Sequence, residues 1–423
     1  RDRSPSRGLG DVYKRQASVN TLADEDLPLF TPRNQILYSN PVNNKNDNPR
    51  IFLKSILKPL KGLEAVFEYT FDKNIYDYHW YTGQYDYTTI QGGSSKSFVD
   101  DYLRKYKQHT NYNSINVYAT YNKDFGNHHF KVMAGFNQES SYQETLDTYS
   151  YNQAVLDVPA MSSGTGTIKA TDSYSEYAIR GGFFRVNYNY LDKYLLEVNG
   201  RYDGSSKFPK SSRFGFFPSV SAGWQIAQER FMNSTRHWLD GLKLRASYGV
   251  IGNQNINPYT FTPSMSVNNK ATSWIIDDTY VTSISSLPAL VSQNFTWEKV
   301  GTINVGLDVN LFNNRLSGVF EWYQRNTNGM LAPGVQLPAV VGASAPYQNT
   351  ADMRTRGWEL SLNWRDQIGK VGYRIGFNLS DYKSEIIKYD DNAATKLLSS
   401  YYPGQTLGEI WGCLLYTSDA ADE

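Results

Sequence analysis

The sequence predicts an all-β chain, a segment of a transmembrane antiparallel β-barrel with about 12-13 strands. Three observations predict it. Apolar and polar residues alternate over runs of roughly ten residues or more, the connections alternate between short turns and long polar loops, and aromatic residues gather near the ends of the runs.

The alternation is sustained from about Asn111 onward. Because successive side chains of a strand point to opposite faces, each run has one apolar and one polar side. Tyr194, Leu196, Val198, Gly200 and Tyr202 share one face, against Lys193, Glu197, Asn199, Arg201 and Asp203 on the other, with Leu195 as the apolar exception. Val220, Ala222, Trp224 and Ile226 repeat the pattern, as do Leu242, Leu244, Ala246 and Tyr248. Ile303, Val305, Leu307, Val309 and Leu311 oppose Asn304, Gly306, Asp308 and Asn310. Trp358, Leu360, Leu362 and Trp364 oppose Glu359, Ser361, Asn363 and Arg365, and Tyr373, Ile375, Phe377 and Leu379 oppose Arg374, Gly376, Asn378 and Ser380. The start of a further strand is expected at Gln405–Gly412.

Short turns are expected at 123–127, 191–193, 313–315 and 367–370, where Gly, Asn and Asp supply tight-hairpin chemistry. Long loops rich in Ser, Thr, Asn, Tyr and Gly are expected at 79–110, 142–173, 253–295, 329–352 and 388–404. Two connections break the rhythm, a short one at 207–211 and an intermediate one at 229–239. Short turns on one side and long loops on the other are how outer-membrane barrels are built, the short ones being periplasmic.

Composition narrows the function classes. The 423 residues carry 42 Lys+Arg against 41 Asp+Glu, a net charge of +1, which gives no general attraction for nucleic acid. One Cys makes no intramolecular disulfide, and five His scattered along the chain build no structural zinc site. No run approaches the roughly 18 consecutive apolar residues of a spanning helix, a criterion to which barrel strands are invisible. The 33 Tyr, 20 Phe and 9 Trp favour strands over helices. A soluble, secreted β-rich protein that binds or cleaves glycans is the rival reading. Its strands would average about five or six residues, shorter than these runs, and it would not need an apolar band backed by a polar interior.

Both ends read as foreign to the rest. Asp11–Gln16 can be encoded by GAT GTG TAT AAG AGA CAG, and the reverse complement of that DNA, read one base out of frame, encodes Cys413–Thr417. Residues 1–16 and 413–423 are therefore expected to be translated sequencing adaptor, leaving 17–412 as a partial barrel.

Five segments carry a resemblance: Arg201–Met232 (RYDGSSKFPKSSRFGFFPSVSAGWQIAQERFM), Leu242–Asn255 (LKLRASYGVIGNQN), Trp297–Asn328 (WEKVGTINVGLDVNLFNNRLSGVFEWYQRNTN), Asn349–Leu362 (NTADMRTRGWELSL) and Tyr402–Gly412 (YPGQTLGEIWG). In this order they resemble the SusC/RagA-like TonB-dependent transporters of the Bacteroidota outer membrane. The resemblance implies a barrel of about 22 strands closed by an N-terminal plug. It also implies energy from the TonB-ExbB-ExbD complex, a SusD-like surface lipoprotein as partner, and an oligosaccharide or peptide as substrate. Plug, TonB box and the first and last strands are not found in this sequence, and no cofactor or nucleic-acid partner is implied.

Candidate site residues follow from the faces and the loops. Glu197, Arg201, Asn304, Asp308, Glu359, Arg365 and Arg374 are expected to face the lumen. Tyr78, Trp80 and Tyr81 in one long loop, and Trp274 and Tyr280 in another, are candidate stacking platforms for sugar rings, whose apolar faces an aromatic ring covers. Ordinary loop packing is the plain alternative. Asp203-Gly204 reads as a hairpin turn, and Arg354 and Arg356 as strand-head residues that pair within the wall. His128-His129 alone is too small a metal cluster, and Gly164-Thr165-Gly166 lacks the strand-turn-helix context of a phosphate loop. No catalytic constellation stands out, so an enzyme is not expected.

Overall fold

The computed structural model describes residues 42–83, 86–88, 94–96, 101–155, 157–265, 267–268, 275–276, 279–280, 284–285, 288–292, 295–334, 337–343, 345–389 and 401–410. The proposed adaptor segments lie outside them. Thirteen strands form one antiparallel sheet: β1 (Asn43–Asp47), β2 (Arg50–Leu60), β3 (Leu63–Thr82), β4 (Tyr102–Phe125), β5 (His128–Tyr151), β6 (Ile168–Tyr190), β7 (Tyr194–Ser205), β8 (Phe214–Gln225), β9 (Leu239–Asn253), β10 (Glu298–Leu311), β11 (Leu316–Pro333), β12 (Tyr347–Ile368) and β13 (Val371–Tyr389). Each strand from β3 on bonds to its chain neighbour, while β1 and β2 share one position beside β3. Among the described residues no helix is long and apolar enough to cross a membrane.

The short turns form where backbone conformation is forced. Leu191 and Asp192 both have positive φ, 56° and 55°, and Lys193 N donates to the Tyr190 carbonyl at 3.0 Å, a two-residue turn whose twist suits a hairpin. Gly126 and Gly369 each sit at φ 60°, where a side chain would be strained. The turn after β10 takes positive φ at Phe312, Asn313 and Asn314.

The strands are longer than the sequence suggests. β4 and β5 have 24 residues each, β6 has 23 and β12 has 22. A membrane crossing takes about 9–11, so these strands continue past it. Much of the expected loops 79–110 and 142–173 is therefore strand. Polar, Tyr- and Thr-rich sequence is compatible with either state, and cross-strand hydrogen bonding decides it. The Asp203-Gly204 turn is also corrected: both residues lie inside β7, paired with Gly215 and Phe214, and the chain reverses at 206–209 instead.

The chain divides into two compact units, one comprising 1–52, 70–113 and 140–176, the other 53–69, 114–139 and 177–423. In the second unit the two faces of the sheet differ sharply. One is apolar and exposed: Leu196, Val220, Leu244, Val305, Phe320 and Leu379 all lie open, Phe377 is 52% exposed and Ile375 63%. Water would not tolerate so wide an apolar band, whereas hydrocarbon would. At its turn end the band carries an aromatic belt, with Tyr194 stacked on Trp224 at 6.5 Å and the Trp364 indole donating to the Tyr373 hydroxyl at 3.3 Å. Gly200 sits beneath the rings of Phe184 and Phe216, which cover the space a side chain would need.

The other face holds the buried core of this unit. Phe208, Phe217, Phe295 and Trp297 are buried together, with Val250, Ile256, Phe261 and Leu331 packed against them. Polar bonds knit the segments that bring them there. Ser212 donates to the Phe295 carbonyl (2.7 Å), the Trp297 indole to the Arg213 carbonyl (2.8 Å), and Asn349 holds both the N–H and the C=O of Thr296 (2.8 and 3.0 Å).

Candidate functional site

The polar face opposite the apolar band is the candidate site. Cross-strand partners share a face, so register alone builds its rows. Arg185, Asn199 and Ser219 form one row across β6, β7 and β8; Asn187, Glu197 and Ser221 form the next, and Phe183, Arg201 and Phe217 flank them. Arg185 Nε donates to Asn199 Oδ1 at 2.7 Å, Asn199 donates to Glu197 at 2.8 Å, and Asn187 donates to the same carboxylate. Arg201 forks onto Asp203 through two bonds of 3.0 and 2.9 Å, its guanidinium 5.1 Å from the Phe183 ring. With Trp297, these residues other than Asn187 line a 730 Å³ recess.

A second network spans β9, β10 and β11. Arg245 bonds Asp308 at 3.2 Å and also Glu321, which accepts from Asn304 at 3.4 Å. Alternation places Arg245 and Glu321 on this face, but only the register joins one guanidinium to two carboxylates from different strands. Farther along, Glu359 stands opposite Glu321, and Arg365 opposite Arg374, which donates to Asn363 Oδ1 at 3.0 Å. The wall is thus polar, with ion pairs across β6 to β11 and like charges side by side at β12 and β13.

Arg354 and Arg356 do not join this face. They lie mid-strand in β12, on the side that carries Trp358, and donate to Asn326 Oδ1 (3.3 Å) and Gln324 Oε1 (2.8 Å), while Arg354 also stands opposite the Glu385 carboxylate of β13. His128 stacks on Tyr190 at 4.6 Å and bonds the Tyr188 hydroxyl, while His129 pairs with Asp124. They are parts of the belt and its turn.

The first unit contains three of the aromatic candidates, and their setting is corrected: Tyr78, Trp80 and Tyr81 are strand residues of β3, not loop residues. Tyr78 and Trp80 share one face. Arg104 lies 5.5 Å from the Tyr78 ring and 5.3 Å from that of Tyr149, and forks onto Asp147 at 3.0 and 2.9 Å. That carboxylate holds the guanidinium firmly protonated, its pKa raised, at a position far beyond the spanning part of β4. Trp80 packs edge-on against Tyr102 at 5.6 Å, and Tyr149 and Tyr151 stack at 6.3 Å. Tyr81 points to the opposite face, its hydroxyl pushed up to about 12 by burial and by the nearby Asp101 charge. Trp274 lies outside the described residues, and Tyr280 falls in a two-residue strand, Thr279–Tyr280, paired with Ile275–Ile276. Arg104 and Asp147, the centre of the cluster, were not distinguishable in the sequence, since their contact spans 43 residues.

Long antiparallel strands, apolar and open on one side and polar with paired charges on the other, define the wall of a transmembrane β-barrel. Comparison with known proteins makes the class particular. The chain belongs to the family described as TonB dependent receptor-like, beta-barrel, whose model matches residues 4–412. Members of this receptor and transporter family reside in the outer membrane. The chain is 31% identical over 315 residues to TonB-dependent receptor P3 of Formosa agariphila, covering 73% of this chain and 30% of that protein. It is 32% identical over 283 residues to TonB-dependent receptor SusC of Bacteroides thetaiotaomicron, covering 65% of this chain and 27% of that one. Its fold matches the RagAB peptide importer in the closed-closed state with a TM-score of 0.77 at 22% identity, over 91% of this chain and 41% of the other. The chain spans about 30% of the length of the curated relatives it matches.

Proposed function

We propose that the chain is barrel wall from an outer-membrane importer that takes up oligosaccharides or peptides, acting with a SusD-like surface lipoprotein and energised by the TonB-ExbB-ExbD complex. The observation that supports it best is the pairing of an exposed apolar face with a polar face that carries ion pairs, which suits a wet passage through lipid. The likeness to SusC and to the fold of a peptide importer agrees with either substrate class. In this reading Glu197, Arg201, Asn304, Asp308, Glu359, Arg365 and Arg374 face the passage or a plug within it. Tyr78 and Trp80, with the rings around Arg104, form a stacking surface for substrate, and Tyr81, Trp274 and Tyr280 are further candidates for substrate contact. Residues 1–16 and 413–423 are translated adaptor.

A long read through the native locus tests this. The expected result is an upstream signal peptide and plug-coding region, with a neighbouring SusD-like gene. A reading frame that closes near residues 17 and 412 without a plug would overturn the importer and adaptor readings together. Recovery of the full product in the soluble fraction, rather than in detergent-extracted outer membrane, would do the same for the importer.

A further inference from the structure

We propose that the connection between β8 and β9, residues 226–238, is a binding site for the headgroup of an anionic phospholipid in the leaflet at the short-turn end of the barrel. Other connections at this end are tight, such as 126–127, 191–193 and 369–370. This one contains two 3-10 turns, Ile226–Gln228 and Arg230–Thr235. It is fastened to the lipid-facing side of the sheet. The Glu229 carboxylate accepts from the Tyr194 hydroxyl (2.7 Å), from the Trp224 indole (3.1 Å) and from Lys193 (3.2 Å). Tyr194 and Trp224 belong to the aromatic belt, so the connection is anchored at the depth where headgroups meet acyl chains.

That anchoring sets out two features a water-facing turn does not need. Phe231, edge-on to Trp224 at 6.5 Å, is 65% exposed, and Trp238 is 39% exposed, continuing the apolar band outward. Arg230 and Arg236 are both exposed and stand two turns apart in a segment with about three residues per turn, which puts them on one side. Neither is in an ion pair among the described residues. The one acidic residue between Ile226 and Trp238, Glu229, is already neutralised by Lys193. Two unpaired guanidiniums beside an exposed ring suit an interfacial segment whose cations fork onto phosphate while the ring enters the acyl boundary.

The test is native mass spectrometry of the full receptor that carries this chain, in mild detergent with equal dioleoylphosphatidylglycerol and dioleoylphosphatidylcholine. The wild type is expected to retain phosphatidylglycerol in preference. Arg230→Gln with Arg236→Gln should lower that preference at least about fivefold, the worth of one cation near an anionic surface. Phe231→Ser should lower retention of both lipids and leave their ratio unchanged, while Lys61→Gln with Lys370→Gln, at other turns, should change neither. An unchanged ratio in the double arginine variant overturns the proposal, as does an equal loss in the lysine control. Retention of a protein at these arginines in place of lipid overturns it too. If the arginine variant does not fold, the wild type decides: its preference must fall as salt rises, and a salt-independent preference refutes the site.

Discussion

Replacing one outward and one inward residue of β12 by arginine should give opposite results at adjacent positions. Leu362 lies opposite Gly318 and Phe377 on the apolar face; Ser361 lies opposite Val319 and Asn378, and its side chain points the other way. The outward apolar residues of β12 run from Trp364 to Trp358, with charged Asp366 before them beside the turn and charged Arg356 after them. With strands tilted by about 40° and rising about 3.3 Å per residue, each residue advances roughly 2.5 Å along the membrane normal. A 25 Å band therefore takes about ten residues, and its midplane falls near Leu362. Arginine on the lipid face at the midplane costs about 2–4 kcal/mol, a factor of roughly 30 to 1,000 in the folded-to-unfolded ratio. Ser361→Arg, entering a polar interior, should cost less than about 1 kcal/mol. Guanidinium unfolding of the full receptor in lipid vesicles, followed by tryptophan fluorescence, measures both. Equal costs, or a larger cost at Ser361, would refute the assignment of faces and with it the membrane reading.

Three further outcomes are expected. Asn349→Ala removes the side chain that satisfies both backbone groups of Thr296, leaving partly buried groups unpaired, and should destabilise the aromatic core by about 1–3 kcal/mol in the same unfolding assay. A double-mutant cycle on Arg104→Gln and Asp147→Asn should give a coupling of about 1 kcal/mol, above an exposed pair because both groups are partly buried; zero coupling would mean the fork is not held in solution. Lys207, in the turn after β7, has its pKa lowered by burial, so the folded state releases its proton more readily than the unfolded state. Stability should then rise with pH between that lowered value and 10.5, and Lys207→Met should flatten the rise, as read from pH-dependent thermal midpoints.

The sequence by itself determined which residues share a face. Period-two alternation is a local property of a strand, so Glu197, Arg201, Asn304, Asp308, Glu359, Arg365 and Arg374 could be set opposite the apolar positions without knowing any partner. The hairpin turns were legible for the same reason, since Gly126, Gly369 and the Asn313-Asn314 pair answer to local backbone demands. Strand length was not local. Residues 102–110 and 142–151 have a composition that serves loop or strand, and the bonds of neighbouring strands settle the matter. Asp203-Gly204 had turn chemistry but is held in β7 by pairing with Gly215 and Phe214. Only the tertiary register could join Arg245 to Asp308 and Glu321, set Arg354 between Asn326 and Glu385, or centre the tyrosines on Arg104 and Asp147. Each such contact links residues tens of positions apart. A pattern read along the chain fixes the direction of a side chain; its partner is fixed by the alignment of strands, which no single strand contains.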